Sequence, residues 1–187
     1  PEVILACASC VEQFKKDLPG ITTRSLWEVM AGLPLPENAA PAPAQLALHD
    51  PCPARHDEAM LDSIRAILQT LGQNLEELPL SGSLTRCCGY GGLAAQANPE
   101  VGDNMSRDRA EETANTLLSY CSMCRDRLAL ANKPSLHALN LLFPQNGRSP
   151  NDEATRPAPG ISDRQHTRRV FRQQILKELW NEDPAQD

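Results

Sequence analysis

The sequence predicts a small α/β domain built on a parallel sheet. Short apolar runs that suit strands alternate with amphipathic helical stretches along most of the 187 residues, and this alternation is typical of parallel α/β sheets. The main cysteine groups directly follow predicted strands or precede predicted helices. Open α/β sheets carry their binding sites at that edge, so the fold class and the position of a site are predicted together.

The first part of the chain resembles a later part. Residues 4–10 and residues 118–124 each have an apolar run followed by a C-x-x-C pair, and helical sequence follows both. Further on, residues 25–30 resemble residues 135–142. We therefore expect residues 1–33 to be the C-terminal part of a truncated first module, and the chain to be a fragment of a longer protein.

A complete second module is expected over residues 45–145. Residues 34–44 should form an extended linker before it, because they hold four prolines. The module begins with a predicted strand at 45–49 that ends in a turn at Asp50 and Pro51. A helix capped by Asp57 and closed by Gly72 should follow. Its apolar stripe comprises Met60, Leu61, Ile64, Ile67, Leu68 and Leu71.

The rest of the module continues the alternation. Residues 75–80 predict a short strand, and residues 81–92 a glycine-containing loop. Asn98 and Pro99 open a helix that runs to about residue 112. Residues 115–120 predict a buried strand, and helical sequence continues from Cys124.

The C-terminal part is expected to lie outside this module. Residues 146–162 are polar and contain prolines, which predicts a linker. Residues 163–187 should form a helix and a tail, with Ser162 or Asp163 as the cap. The helix has an apolar stripe that should dock on this core or on a partner, formed by Val170, Phe171, Ile175, Leu176 and Leu179.

Composition excludes several functions. The formal net charge is -6 and basic residues form no long run, so nucleic acid is not an expected partner. No nucleotide-binding fingerprint and no Ser–His–Asp set is recognisable. Neither a membrane span nor a signal peptide is predicted. Seven cysteines without a secretory signal favour a reducing cytoplasmic setting, with any membrane contact made through a partner.

Five cysteines form the most informative pattern of the chain. Cys52, Cys87, Cys88, Cys121 and Cys124 follow the spacing C-x34-C-C-G-x31-C-x-x-C. Thiolates select zinc, copper(I) or iron–sulfur groups, so the spacing predicts one site assembled from three loops. Because neighbouring side chains on an extended backbone point apart, Cys87 and Cys88 suit different metal ions of a polynuclear centre. An iron–sulfur centre is therefore favoured, and a structural zinc site with one idle thiol is the alternative.

Residues near these cysteines allow more than one interpretation. His49 is either a ligand or proton donor, or a partner of Asp50 in shaping the turn before Cys52. Arg55 and Arg86 either offset thiolate charge or are ordinary surface arginines. The pair Cys7 and Cys10 is interpreted as a vestigial half-site, and a thioredoxin-like redox pair is the alternative.

The five-cysteine pattern, preceded by His49 and Asp50, resembles the CCG or cysteine-rich domain family. That family is named for the B subunit of heterodisulfide reductase. It also includes the D subunit of heterodisulfide reductase and the iron–sulfur subunits of glycolate oxidase and anaerobic glycerol-3-phosphate dehydrogenase. The resemblance covers roughly residues 1–145, and the second spacer is a few residues shorter than the usual form.

The resemblance implies an iron–sulfur protein of two α/β modules. Carried over residue by residue, the five cysteines would hold a [4Fe–4S]-type cluster, either an ordinary cubane or the non-cubane form of heterodisulfide reductase. The implied function is electron transfer to or from a thiol, a disulfide or an organic substrate, with iron–sulfur or flavin proteins as partner subunits. The alternative is a zinc-binding interaction module that docks a redox subunit.

Overall fold

The computed structural model describes residues 2–144 and 148–181 of the chain. The chain divides into two compact units, residues 1–157 and residues 158–187. Parallel sheets with helical connections form the first unit, which confirms the predicted α/β class. Among the described residues, no helix is both long and apolar enough to span a membrane.

Two strands and two helices make up the start of the first unit. Their bounds are β1 (Glu2–Leu5), α1 (Ala8–Asp17), β2 (Thr22–Ser25) and α2 (Leu26–Ala31). Strands β1 and β2 pair in parallel. Ser25 caps α2 in a capping box with Glu28, so the polar end of β2 also starts the next helix.

A four-stranded parallel sheet forms the rest of the first unit, with the strand order β4-β3-β5-β6. Its strands are β3 (Leu46–His49), β4 (Leu75–Glu77), β5 (Thr116–Ser119) and β6 (Ser135–His137). The helices between and after them are α3 (Glu58–Thr70), α4 (Ala94–Ala97), α5 (Pro99–Glu111), α6 (Ser122–Leu130), α7 (Ala138–Leu142) and α8 (Pro150–Ala154).

The strands predicted at 45–49, 75–80 and 115–120 are present, with small differences in length. Strand β6 was not predicted, because helical sequence was expected to continue from Cys124. Strand β3 is buried along its whole length, as a central strand of a parallel sheet should be. Helix α3 is capped by the Asp57 side chain and followed by Gly72 in the left-handed region, at φ +77°. Its apolar stripe lies in the core. Asn98 caps α5, also as predicted.

The internal repeat is visible in the order of elements. The series β1-α1-β2-α2 has the same order as β5-α6-β6-α7, and both strand pairs are parallel. Cys7 and Cys121, the first cysteines of the two C-x-x-C pairs, occupy the N-cap positions of α1 and α6. The two halves thus share local structure, while the truncation of a first module stays a prediction.

The structure differs from the expected linker at residues 146–162. Helix α8 lies within that range, capped by Ser149, and its Glu153 and Ala154 are buried. The buried Arg125 guanidinium donates hydrogen bonds to the carbonyl oxygens of Glu153 and Arg156. This contact holds helix α8 in place within the first unit, which the local composition did not indicate.

The second unit contains helix α9 (Ile161–Glu178). It begins earlier than the predicted cap at Ser162 or Asp163, because Asp163 instead accepts a hydrogen bond from the Gly160 N–H. Val170 and Phe171 of the apolar stripe are exposed.

Candidate metal centre

The five predicted ligands meet at the C-terminal edge of the four-stranded sheet. Cys52 follows β3 in a short 3-10 turn. Cys121 follows β5 and caps α6, so Cys124 lies in the first turn of that helix. Cys87 and Cys88 lie in the loop between β4 and α5. Parallel strands bring their carboxyl ends to one edge, which is why cysteines far apart in sequence meet there.

The five side chains form one continuous set of hydrogen-bonded contacts. Cys52 contacts Cys87, Cys87 contacts Cys88, Cys88 contacts Cys124, and Cys124 contacts Cys121. None of the seven cysteines of the chain is in a disulfide. Three segments of the chain therefore build one cluster of thiols.

Two of the five sulfurs are held as thiolates by their surroundings. The hydrogen bond from the Cys52 thiol, that from Cys88 and the N–H groups of Gly89 and Gly91 hold the pKa of Cys87 far below its usual value. The Cys124 thiol and backbone N–H groups at the start of α6 lower the pKa of Cys121 to about 6. Two anionic sulfurs at neutral pH are ready to bind a cation.

The other three sulfurs act as donors and stay protonated without a metal. The pKa of Cys52 is raised by the hydrogen bond that its thiol makes to Cys87 and by burial. Contacts with Cys121 and Cys88, then burial, raise the pKa of Cys124. For Cys88 the thiol of Cys124 favours ionisation, but the contact with Cys87 and burial outweigh it and raise the pKa to about 12. Metal binding would release these protons.

His49 is fully buried beside the cluster. A ring nitrogen of His49 and the sulfurs of Cys88 and Cys124 lie within 4.8 Å of one another. The His49 Nδ1 atom accepts a hydrogen bond of 3.0 Å from Arg109 Nε. Burial and the Arg109 charge lower the pKa of His49 to about 3, so the imidazole is neutral. Its Nε2 atom is buried without a hydrogen-bond partner.

Asp50 connects all three cysteine segments. Its fully buried carboxylate accepts two hydrogen bonds from Arg65, at 3.2 and 2.8 Å. It also accepts from the Gly82 N–H at 2.7 Å and from the Tyr120 hydroxyl at 2.8 Å. The Thr85 hydroxyl donates to the Asp50 carbonyl oxygen. Asp50 lies two residues before Cys52, Thr85 two before Cys87, and Tyr120 one before Cys121. The side chain and the carbonyl group of one residue thus set the relative positions of the ligands.

The two flanking arginines have different positions. Arg55 donates to the carbonyl oxygens of Cys52 and Thr85, which links the first cysteine segment to the second. Arg86 forms a salt bridge with Glu112, and about half of its side chain is exposed. Arg55 therefore supports the site through the backbone, whereas Arg86 is a surface arginine.

The residues present fit a soft metal or an iron–sulfur group. Thiolates are the ligands that such groups prefer. The orphaned His49 Nε2 is a buried polar atom that needs a partner. A Cβ atom on Gly91 would lie 3.3 Å from the Cys52 sulfur and 3.4 Å from the Cys87 sulfur. The loop backbone thus passes as close to the sulfurs as a glycine allows.

Replacing Gly91 by Leu should therefore lower metal loading. The side chain would enter the space against Cys52 and Cys87, and overpacking of this kind costs about 1–3 kcal/mol. Metal content per chain after anaerobic loading measures the effect. The matched control is Gly20→Leu, since a Cβ atom at that exposed position meets nothing within 4 Å. Equal metal content in the two variants would contradict the role given to Gly91.

A cavity of about 310 Å³ lies against the cysteine cluster. Its lining is mostly apolar and includes Trp27, Tyr90, Tyr120 and Gly91, together with Cys52, Cys88, Cys121 and Cys124. Cys7 contributes from the first part of the chain. The Cys-Cys-Gly loop thus lines a space large enough for a small molecule.

The pair Cys7 and Cys10 lies apart from the five-cysteine set. Both residues are exposed, and a hydrogen bond with Cys7 raises the pKa of Cys10. Cys7 lines the cavity. Cys7, one member of the predicted half-site, therefore lies across the cavity from the five-cysteine cluster.

Sequence reasoning missed three supporting residues. Arg65 and Arg109 act through Asp50 and His49, and no local pattern marks either one. Trp27 is buried, packs edge-on against Tyr120 and lines the cavity. The internal repeat could have indicated it, because Trp27 and Leu139 hold the same position in α2 and α7 and both line the cavity.

The comparison with protein families agrees with this geometry. Residues 46–129 match the model of the CCG cysteine-rich domain. This part of the chain is therefore similar to CCG domains. The matched stretch begins at the first residue of β3 and ends within α6, so it includes all five cysteines of the cluster. The resemblance predicted from the cysteine spacing is confirmed.

Three curated relatives carry similar sequence. The D subunit of the dihydromethanophenazine:CoB–CoM heterodisulfide reductase of Methanosarcina barkeri is 27% identical over 143 residues, which is 68% of this chain and 35% of that protein. The B subunit of the fumarate reductase (CoM/CoB) of Methanothermobacter marburgensis is 24% identical over 153 residues, 75% of the chain and 31% of that protein. A probable membrane-anchored ferredoxin of Chromohalobacter salexigens is 33% identical over 90 residues, 46% of the chain and 13% of that protein. The chain thus spans about a third of the first two relatives.

Proposed function

We propose that this domain holds an iron–sulfur centre and transfers electrons within a larger oxidoreductase. The ligands would be Cys52, Cys87, Cys88, Cys121 and Cys124. The observation that carries the proposal is the continuous contact of these five sulfurs from three segments at one sheet edge. A [4Fe–4S]-type group, in the cubane or the non-cubane form, would supply one-electron chemistry there.

The arrangement of the adjacent cysteines supports a polynuclear centre over a single zinc ion. Cys87 contacts Cys52, whereas Cys88 contacts Cys124. The two thiols also contact each other, so together they join both ends of a set of five sulfurs. A single tetrahedral zinc takes four ligands and would leave one thiol idle.

The cavity supports a role for a small substrate or a docked group. Its apolar and aromatic lining suits a thiol, a disulfide or another organic molecule that approaches the cysteine cluster. Two of the relatives are named as subunits of a heterodisulfide reductase and of a CoM/CoB fumarate reductase, which agrees with a thiol-linked reaction. Electrons would come from partner iron–sulfur or flavin proteins in the cytoplasm, with membrane contact only through a partner.

A redox titration followed by electron paramagnetic resonance tests this function. The anaerobically loaded protein should take up and release an electron reversibly, and added thiol should change its spectrum. A loaded protein with no redox transition would support the zinc-bound interaction module instead. If the redox transition is reversible but no thiol changes the spectrum, the protein transfers electrons and does not bind a thiol substrate at the centre.

Replacing Cys7 and Cys10 together by Ser should leave the iron content unchanged. The two side chains are exposed and contact each other, not the five-cysteine set. Iron and acid-labile sulfide per chain are the measurement, with the wild-type protein loaded in parallel. Loss of half the iron would show that the pair completes a second site or joins the first.

A further inference from the structure

We propose that His49 donates a hydrogen bond from Nε2–H to the sulfurs of the centre and is not one of its ligands. The inference rests on the proposed function, since it concerns a centre held by Cys88 and Cys124. Its effect would be to set the reduction potential of that centre.

The first step is the tautomer of His49, which Arg109 determines. A guanidinium group has only N–H donors and keeps its proton in proteins. Arg109 Nε donates to His49 Nδ1 at 3.0 Å. Nη1 donates to the Glu112 carboxylate and Nη2 to the Leu80 carbonyl oxygen. With its other two nitrogens bound and only 1% of the residue exposed, Arg109 cannot turn away. His49 Nδ1 is therefore an acceptor, and the proton of the neutral ring lies on Nε2.

The second step is the position of that proton. Nε2 is the ring nitrogen without a partner, and a His49 ring nitrogen lies within 4.8 Å of the Cys88 and Cys124 sulfurs. His49 is fully buried. A buried N–H without an acceptor is unfavourable. Metal-bound cysteine sulfur carries negative charge and accepts hydrogen bonds, so a loaded centre would give this donor a partner.

The third step excludes His49 as a ligand. A histidine that binds a metal uses the lone pair of one nitrogen and usually donates the N–H of the other to a carboxylate or carbonyl. In His49, Nδ1 accepts a hydrogen bond from Arg109 and cannot donate one. This is the opposite of what a metal-binding histidine requires. The three-residue group of His49, Cys88 and Cys124 is thus better described as two sulfurs and a donor to them.

Hydrogen bonds to the sulfurs of such a centre favour its more negative, reduced state and raise its potential. Two substitutions separate this effect from folding. In His49→Asn, the side-chain oxygen takes the place of Nδ1 and still accepts from Arg109, but the distal donor is lost. In His49→Gln, an amide N–H group returns to the distal position.

The experiment measures iron per chain and midpoint potential for both variants, with His56→Asn at an exposed position as the control. We expect wild-type iron content throughout, a lower potential for His49→Asn, recovery towards the wild-type value for His49→Gln, and no change for the control. Iron loss in both His49 variants would show that His49 is a ligand. An unchanged potential in His49→Asn would overturn the proposal.

A second measurement does not depend on the variants folding. Nitrogen-15 NMR of labelled histidine in the zinc-loaded, diamagnetic protein reports which ring nitrogen carries the proton. We expect a protonated Nε2 and an unprotonated Nδ1 for His49. A proton on Nδ1 with a metal-shifted Nε2 would overturn the proposal. Because zinc serves here, this result stays readable even if the iron–sulfur function is wrong.

Discussion

Replacing Asp50 by Ala should destabilise the metal-free protein by about 1–3 kcal/mol, the usual cost of leaving a buried hydrogen-bonding group without its partner. Arg65 keeps its salt bridge to Glu77. The change leaves the Arg65 guanidinium and the Tyr120 hydroxyl without their common acceptor. It also frees the Gly82 N–H that holds the loop before Cys87. Chemical denaturation under reducing conditions measures the loss in free energy of unfolding.

The control for this change is Asp62→Ala. Asp62 lies on the same helix as Arg65, but it is exposed, and surface substitutions of this kind change stability by about 0.5 kcal/mol or less. Similar stability of the two variants would contradict the role of Asp50 in joining the three cysteine segments.

The acid dependence of stability gives a second readout of the same residue. Burial opposes ionisation of Asp50, but the bonds from Arg65, Gly82 and Tyr120 outweigh it and lower its pKa from the ordinary value of 3.8. A carboxyl group with a depressed pKa stabilises the fold above its unfolded value and loses that contribution as the pH falls through the folded one. Wild-type stability should therefore drop below about pH 3.8 in a way that Asp50→Ala does not show.

Replacing Cys52 or Cys121 by Ala should remove most of the iron. Each residue supplies the sulfur of a different segment, and each contacts only one neighbour in the set. Without that sulfur, the centre would lack a ligand at one end of the set. Iron and sulfide analysis after anaerobic loading is the measurement, and the Cys7 and Cys10 double variant is the matched control. Wild-type iron content in both single variants would refute the assignment of these ligands.

Local sequence signals predict three strands of the four-stranded sheet and miss β6, which lies where helical sequence was expected. Asp57 and Asn98 cap the helices that they were expected to cap, and Gly72 follows the first of them. These features depend on residues within a few positions of one another. One further rule, that parallel strands end at a common edge of the sheet, predicts that the cysteines lie close together.

Contacts across long stretches of sequence could not be predicted in the same way. Asp50 bonds to residues 15, 32 and 70 positions away, and His49 takes its tautomer from Arg109, 60 positions on. Arg125 fixes helix α8 through carbonyl groups, which any residue carries. Such contacts depend on the packed fold, so no periodicity or spacing marks them.

Iron and acid-labile sulfide per chain, measured after anaerobic purification or reconstitution, test the central claim most directly. An iron–sulfur centre on the five cysteines predicts a brown protein with about four irons and matching sulfide, and this content should fall in the Cys52 and Cys121 variants. A colourless protein with about one zinc per chain and no sulfide would contradict the account.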